Sequence, residues 1–171
     1  RVSRHGVVRH SFTLDHVGPI ARTVRDCARL TSVIAGKDER DTDAIDTPVP
    51  DYESRLDRSV HGVRMGVVGG FEDDVSEEVL QRLEESRRIY ADLGVTPIQL
   101  EIPNIDDLMA YCQIISRAEV AHLHWTRMRA HPEQYGRESR KRIAVGYAIP
   151  AVHYIEACTR RRAILDGFCR N

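Results

Sequence analysis

The chain has 171 residues, of which 42% are apolar, and its 25 basic and 26 acidic side chains leave a net charge of −1. The apolar share supports a packed core and excludes wholesale disorder, and the length suits one domain or a large piece of one. Balanced charge excludes nucleic-acid binding driven by net positive field. No apolar run approaches the roughly 18 residues that a bilayer crossing needs, and no signal peptide is visible. The chain opens at Arg1 rather than Met and reads as a processed or excised piece.

The first segment, residues 1–8, is β-branched around Gly6 and reads as a strand or extended stretch. Residues 11–19 (SFTLDHVGP) form a loop ending in a Gly-Pro breaker. A helix follows, with Thr23 as its N-cap, Asp26 in its first turn, an apolar face through Val24, Cys27, Leu30 and Ile34, and Gly36 at its C-terminus. Residues 37–58 are rich in Asp and Glu, contain Pro48 and Pro50, and show no periodicity. They read as a linker or surface wrap.

Residues 63–68 read as a buried strand. Residues 75–93 are an amphipathic helix with Val79, Leu80, Leu83, Tyr90 and Leu93 toward the core. Residues 96–102 are a second strand, closed by Pro103. Strand, helix and strand at this spacing predict a βαβ unit with parallel strands. Asn104 caps the next helix, whose stripe is Leu108, Tyr111, Ile115, Ala118, Ala121 or His122, and Trp125. His131-Pro132 ends it. A last helix spans about residues 137–168, with Ile143, Tyr147, Ala151, Tyr154, Cys158, Leu165 and Phe168 inward. Pro150 kinks or splits it.

The chemistry-bearing residues are scattered. Cys27, Cys112, Cys158 and Cys169 are too sparse for a disulfide scaffold and lack paired metal-ligand spacing, so they read as buried thiols of a reduced, cytoplasmic protein. No Gly-x-Ser-x-Gly elbow is present. The two lysines do not resemble catalytic bases: Lys37 follows a helix end, and Lys141 sits in a basic run. Glu119 and His122, three apart on a helix, form at most a two-ligand patch, and a structural role outweighs a metal. Gly66, Gly69 and Gly70 read as a turn, because Glu72, Asp73 and Asp74 would repel a phosphate. The basic stretch 137–162 reads as a surface that packs against acidic groups rather than nucleic acid.

Several runs resemble one family, the amidase signature enzymes. The Arg1-Val2-Ser3 run with Gly6, then Leu14-Asp15 with Gly18-Pro19, then Ala21 to Asp26 with Ala28 match its motifs. Looser likeness continues through residues 62–67, Ala118-Glu119 with His122, and Tyr135, Arg142, Gly146, Ala151, Tyr154, Ala157 and Arg161. Arg9-His10 and Thr13 depart from the common pattern. The resemblance implies part of a mixed-sheet α/β fold, divided here into residues 1–36, an acidic linker 37–58, a βαβ unit 59–103 and a helical part 104–171.

It also implies a carboxamide hydrolase that works through an acyl-serine formed by a Ser, cis-Ser, Lys triad. None of the triad matches a residue here, so no catalytic residue is assigned and the chain alone is expected to be inactive. Thr13, Asp15 and Gly18 are the candidate pocket residues. Asp15 bonding local backbone amides is the structural alternative. No cofactor or metal is implied. The partners implied are a small-molecule amide in the complete enzyme, a complementing N-terminal piece or a second copy, without nucleic acid or membrane. The alternative is a non-catalytic binding or assembly module, like the A subunit of tRNA-dependent amidotransferases or a decayed amidase copy.

Overall fold

Thr23 starts the first helix as its sequence implies. Its hydroxyl accepts the Asp26 amide at 3.1 Å and donates to the Asp26 carboxylate at 2.7 Å, closing the N-terminus of α1 (Val24–Ile34). The structure is a computed structural model and describes residues 1–69, 75–102 and 105–170. After α1 come a 3-10 turn at Glu53–Arg55, β1 (Arg64–Val68), α2 (Glu77–Asp92), β2 (Thr96–Leu100) and α3 (Ile105–Ala130). A second 3-10 turn at Pro132–Gln134 leads to α4 (Arg137–Gly146) and α5 (Ala151–Phe168). The chain divides into two compact units, one of Arg1–Arg58 with Ile114–Pro150 and one of Ser59–Gln113 with Ala151–Asn171.

The second unit contains the expected β–α–β arrangement. β1 and β2 are parallel, with Arg64 opposite Thr96 and Val68 opposite Leu100. Gly94 ends the helical run at φ +81°, a left-handed turn that glycine adopts without steric cost. Its carbonyl accepts the Gly62 amide at 2.8 Å, which brings the start of β1 beside the start of β2. The expected core face of α2 is not covered, however. Leu83 is 50% exposed and Leu93 53%, and Val79 and Tyr90 are also exposed, leaving Leu80 half-buried. Among the described residues the sheet has two strands, too narrow a surface to cover a whole helical stripe. In α5 the small Ala157 is fully buried, while Ala151 and Leu165, expected inward, are exposed.

In the first unit α4 packs on α3 through Val120, Ala121 and Ile143, joined by Met128 and Tyr135. Gly146 makes this contact possible. A Cβ there would lie 2.0 Å from the Arg117 carbonyl oxygen and 2.5 Å from Ala121 Cβ. The buried line of α3 runs through Ile115, Glu119, Val120 and Ala121, with His124 and Met128 half-buried. Trp125 and Tyr147, expected inward, are exposed. Pro150 does split the last helix, into α4 and α5.

Other expectations are corrected. Residues 1–8 form no strand. A single antiparallel bridge joins Val2 to Ala35, and the Gly36 amide donates to the Arg1 carbonyl at 2.8 Å. Cys27, Cys112 and Cys158 are half-buried and Cys169 is exposed, all as free thiols, so burial does not account for them. Asn104, the expected cap of α3, and Gly70, Glu72, Asp73, Asp74 and Pro103 lie outside the described residues. Among the described residues no helix is long and apolar enough to cross a membrane.

The close approach at Gly146 predicts that Gly146→Ala destabilises the chain by about 1–3 kcal/mol, because backbone atoms must move. Gly18→Ala, where open space surrounds the added methyl, shifts stability by less than about 0.5 kcal/mol. Urea unfolding of the two variants against the parent checks the contrast.

Candidate functional site

The loop of residues 11–19 is held by a carboxylate inside the first unit. Glu119 on α3 and Ser11 are each 1% exposed. The Ser11 hydroxyl donates to Glu119 Oε2. The Thr13 amide donates to the same oxygen at 3.0 Å, and the Thr13 hydroxyl to Oε1 at 2.7 Å. Ser11 Oγ also accepts the Leu14 amide at 2.9 Å, so one hydroxyl joins the clamp to the next turn of the loop. Burial of an acidic group is tolerable only when such donors replace its hydration. Asp15 shapes the loop from within, its Oδ2 accepting the His10 amide at 2.7 Å and the Ser11 amide at 3.0 Å. That is the local backbone bonding foreseen for it.

A second constraint is the acidic segment 37–58, which wraps this unit and is neutralised by it. Asp41 is 4% exposed. It accepts the Arg4 amide at 2.7 Å, bonds the Arg4 guanidinium at 3.4 Å and takes the Asp43 amide at 3.2 Å. The Arg4 amide first, and its guanidinium second, hold the Asp41 carboxyl down at about 2. Arg4 pairs with Asp43 and donates to the Phe12 carbonyl at 2.8 Å, linking strap to loop. Farther along, Glu53 bonds Arg29 at 2.7 Å and Arg25 at 2.8 Å, and these two guanidiniums, Arg29 first, hold it at about 2. Arg40 and Ser3 keep Asp38 well below the usual carboxylate range. Asp57 pairs with Arg25, and Asp46 with Lys37. The segment is therefore a strap rather than a free negative surface.

Loop, strap and N-terminal residues line an open cavity of about 460 Å³, with Arg4, Phe12, Thr13, Asp15, Asp41 and Asp43 among its walls. Thr13 and Asp15 thus lie on one wall. Gly18 is exposed and is not part of that lining. The polar atoms of Thr13 that meet Glu119, and the Asp15 oxygen that takes two amides, are occupied in shaping the loop. Ser11, Arg4 and Asp41 carry no motif that singles them out in the sequence. For Asp41 the usable signal is the Asp-x-Asp spacing, in which the first carboxylate takes the amide two residues on.

The Glu119–His122 metal patch does not form. The Glu119 carboxylate serves Ser11 and Thr13, while His122 is exposed with its ring edge-on to Phe12 at 6.3 Å. Among the described residues no three potential ligands cluster. Both lysines are engaged by carboxylates. Lys37 Nζ lies 2.9 Å from Glu39 and 3.2 Å from Asp46, and Lys141 Nζ 2.9 Å from Glu138. Glu39 first, then Asp46, raise the Lys37 pKa, the opposite of what a general base needs.

A parallel β–α–β unit, long helices and a loop clasped by a helix carboxylate define a mixed α/β fold. The amidase family model matches residues 1–169, and the chain belongs to that family. Among its relatives is the glutamyl-tRNA(Gln) amidotransferase A subunit of Trichlorobacter lovleyi, 33% identical over 98% of this chain and 40% of that protein. Its counterpart from Clostridium botulinum is 33% identical over 99% of this chain and 40% of its own length. The solved structure of the Thermotoga maritima counterpart superposes with a TM-score of 0.75 at 32% identity, over 96% of this chain and 36% of that one. A chain from a vestigial protein complex bearing on the origins of an s-triazine catabolic enzyme gives a TM-score of 0.89. At 24% identity over 99% of this chain and 36% of that one, it shows likeness of fold. The chain spans about 40% of the length of the curated relatives it matches.

Glu119→Ala strands the Ser11 hydroxyl and the Thr13 donors, and it is expected to cost roughly 3 kcal/mol in urea unfolding; Glu119→Gln, which keeps a carbonyl acceptor, costs less. Acid behaviour provides a second check. Asp41 and Glu53 are held below their ordinary values of about 3.9 and about 4.3. Their contribution is present above about pH 4 and is lost as pH falls through about 2. Asp41→Asn should therefore reduce the drop in stability between about pH 5 and about pH 2, measured by urea unfolding across that range.

Proposed function

We propose that this chain is part of an amidase signature enzyme that hydrolyses a carboxamide C–N bond. The observation that carries the reading is the family match over residues 1–169. In the reaction a serine oxygen attacks the carboxamide carbon, ammonia or an amine departs, and water cleaves the acyl-serine to a carboxylate. The nucleophile, its base and the oxyanion donors belong to a part of the protein outside this sequence. The carboxylate partners of Lys37 and Lys141 support that assignment.

The role of this chain is then to build one border of the substrate cleft from the loop of residues 11–19, with Thr13, Asp15 and Gly18 nearest the amide. Glu119 and the Arg4–Asp41 pair fix that loop, so the cleft border needs no rearrangement when substrate arrives. The two units are pieces of one catalytic domain in this reading. A small amide is the substrate, and a complementing N-terminal segment or a second copy is the protein partner.

A second reading is favoured by the names of the relatives, which are amidotransferase A subunits. In it the chain belongs to an assembly whose amide hydrolysis depends on other polypeptides. One assay separates the readings. Ammonia release from a simple carboxamide and from glutamine is followed for this chain alone and for a polypeptide joining it to a signature region. The chain alone is expected to release no ammonia above buffer, and the joined polypeptide to hydrolyse the simple amide. Activity that appears with glutamine only after a partner polypeptide is added favours the second reading. Turnover by the chain alone contradicts both.

A further inference from the structure

One face of the first unit differs in character from its neutralised strap. Trp125, the chain's one tryptophan, is 46% exposed, and Tyr147 is 39% exposed. Their rings meet edge to face, with centroids 4.8 Å apart and planes at 82°. The Arg129 guanidinium lies over the indole, 5.0 Å from its centroid. α4 adds the exposed Arg137, Arg140 and Arg142. Because Ile143 and Gly146 are the buried positions of α4, helical spacing puts Arg137 and Arg140 on the flank that leads to Tyr147. Among the described residues no ion pair engages Arg129, Arg137, Arg140 or Arg142, whereas the neighbouring Lys141 pairs with Glu138 at 2.9 Å. Arg129 thus lies on an exposed aromatic pair and Arg140 on the α4 flank that ends at it, while most acids of the strap are matched elsewhere in the same unit.

We propose that this face docks an acidic segment of a partner polypeptide, with carboxylates on Arg129 and Arg140 and an apolar side chain against Trp125 and Tyr147. Tryptophan, tyrosine and arginine are the side chains that dominate interface energetics. A guanidinium stacked on an indole keeps its N–H edge for a carboxylate and is already oriented, so little entropy is lost on pairing. Nucleic acid fits less well. One indole face is covered by Arg129 and Tyr147 meets the ring, which leaves a poor platform for base stacking. The net charge of −1 also gives no long-range attraction to a polyanion. The strap carboxylates of a second copy are already taken by its own Arg4, Arg25 and Arg29, so they are not the acidic segment this face would meet. The proposal goes beyond amide hydrolysis and stands or falls independently of it.

The test uses the intact chain and the emission of Trp125. Three probes are titrated: a short peptide alternating Glu and Leu, its Gln-and-Leu counterpart, and a single-stranded oligonucleotide. The Glu peptide is expected to shift the emission saturably and to bind at least about tenfold more tightly than the Gln peptide. Arg140→Gln, at an exposed position away from the Ile143 and Gly146 contact, should weaken the Glu peptide severalfold. A variant carrying both Arg137→Glu and Arg140→Glu should prefer a Lys-and-Leu peptide. Equal affinity for the Glu and Gln peptides, a response to the oligonucleotide alone, or no response to any probe overturns the proposal.

Discussion

The first unit is organised around a carboxylate that water does not reach. Glu119 sits on the inner line of α3, and its two oxygens take the donors of Ser11 and Thr13, more than a hundred residues earlier in the chain. A buried acid without these donors would be destabilising, so the loop's donors and the helix's carboxylate stabilise each other. The consequences pass outward through hydrogen bonds. The clamp fixes Ser11 and Thr13, the Phe12 carbonyl between them takes the Arg4 guanidinium, and Arg4 holds the strap through Asp41 and Asp43. Loop, helix and strap are one polar network, and a small apolar contact joins α3 to α4 in the same unit.

That network explains how a nearly neutral chain can be locally so unequal. Most acids of residues 37–58 pair with Arg4, Arg25, Arg29, Lys37 and Arg40, and Asp51 takes the Glu53 and Ser54 amides, which leaves the strap with little field of its own. The arginines of α4 have no such neighbours among the described residues, and an exposed tryptophan stands beside them. The second unit is built differently. Its order comes from parallel strand pairing and one glycine turn, and much of the apolar stripe of α2 stays in water. Among the described residues its sheet has two strands, which leaves most of that stripe uncovered.

Local signals in the sequence were legible. The Thr23–Asp26 cap, the β–α–β spacing, the Gly94 stop and the break at Pro150 all depend on neighbouring residues, and each stands where the pattern put it. The amidase motifs were equally legible because they occupy short contiguous runs. The face of α3 was legible in part. Ile115 and Ala121 are buried as the stripe has them, but hydropathy also points to Trp125, which is exposed, and passes over buried Glu119 and half-buried His124, polar residues with partners far away in sequence. Asp41 escaped for the same reason, since an acid in an acidic run looks solvated until Arg4 is placed against it. In the candidate site, Thr13 and Asp15 reach the cavity wall while Gly18 does not. The donors that build the wall, Ser11 above all, carried no motif.

The first unit depends on the Glu119 clamp, and amide hydrogen exchange reads that clamp at single residues. The Thr13 amide is bound by Glu119 and the Leu14 amide by Ser11, so both should be protected although they lie in a loop. In Glu119→Ala both should exchange as freely as open-loop amides, while the β1 and β2 amides of the second unit keep their protection. Rapid exchange at Thr13 and Leu14 in the parent chain, or protection unchanged by Glu119→Ala, would contradict the clamp.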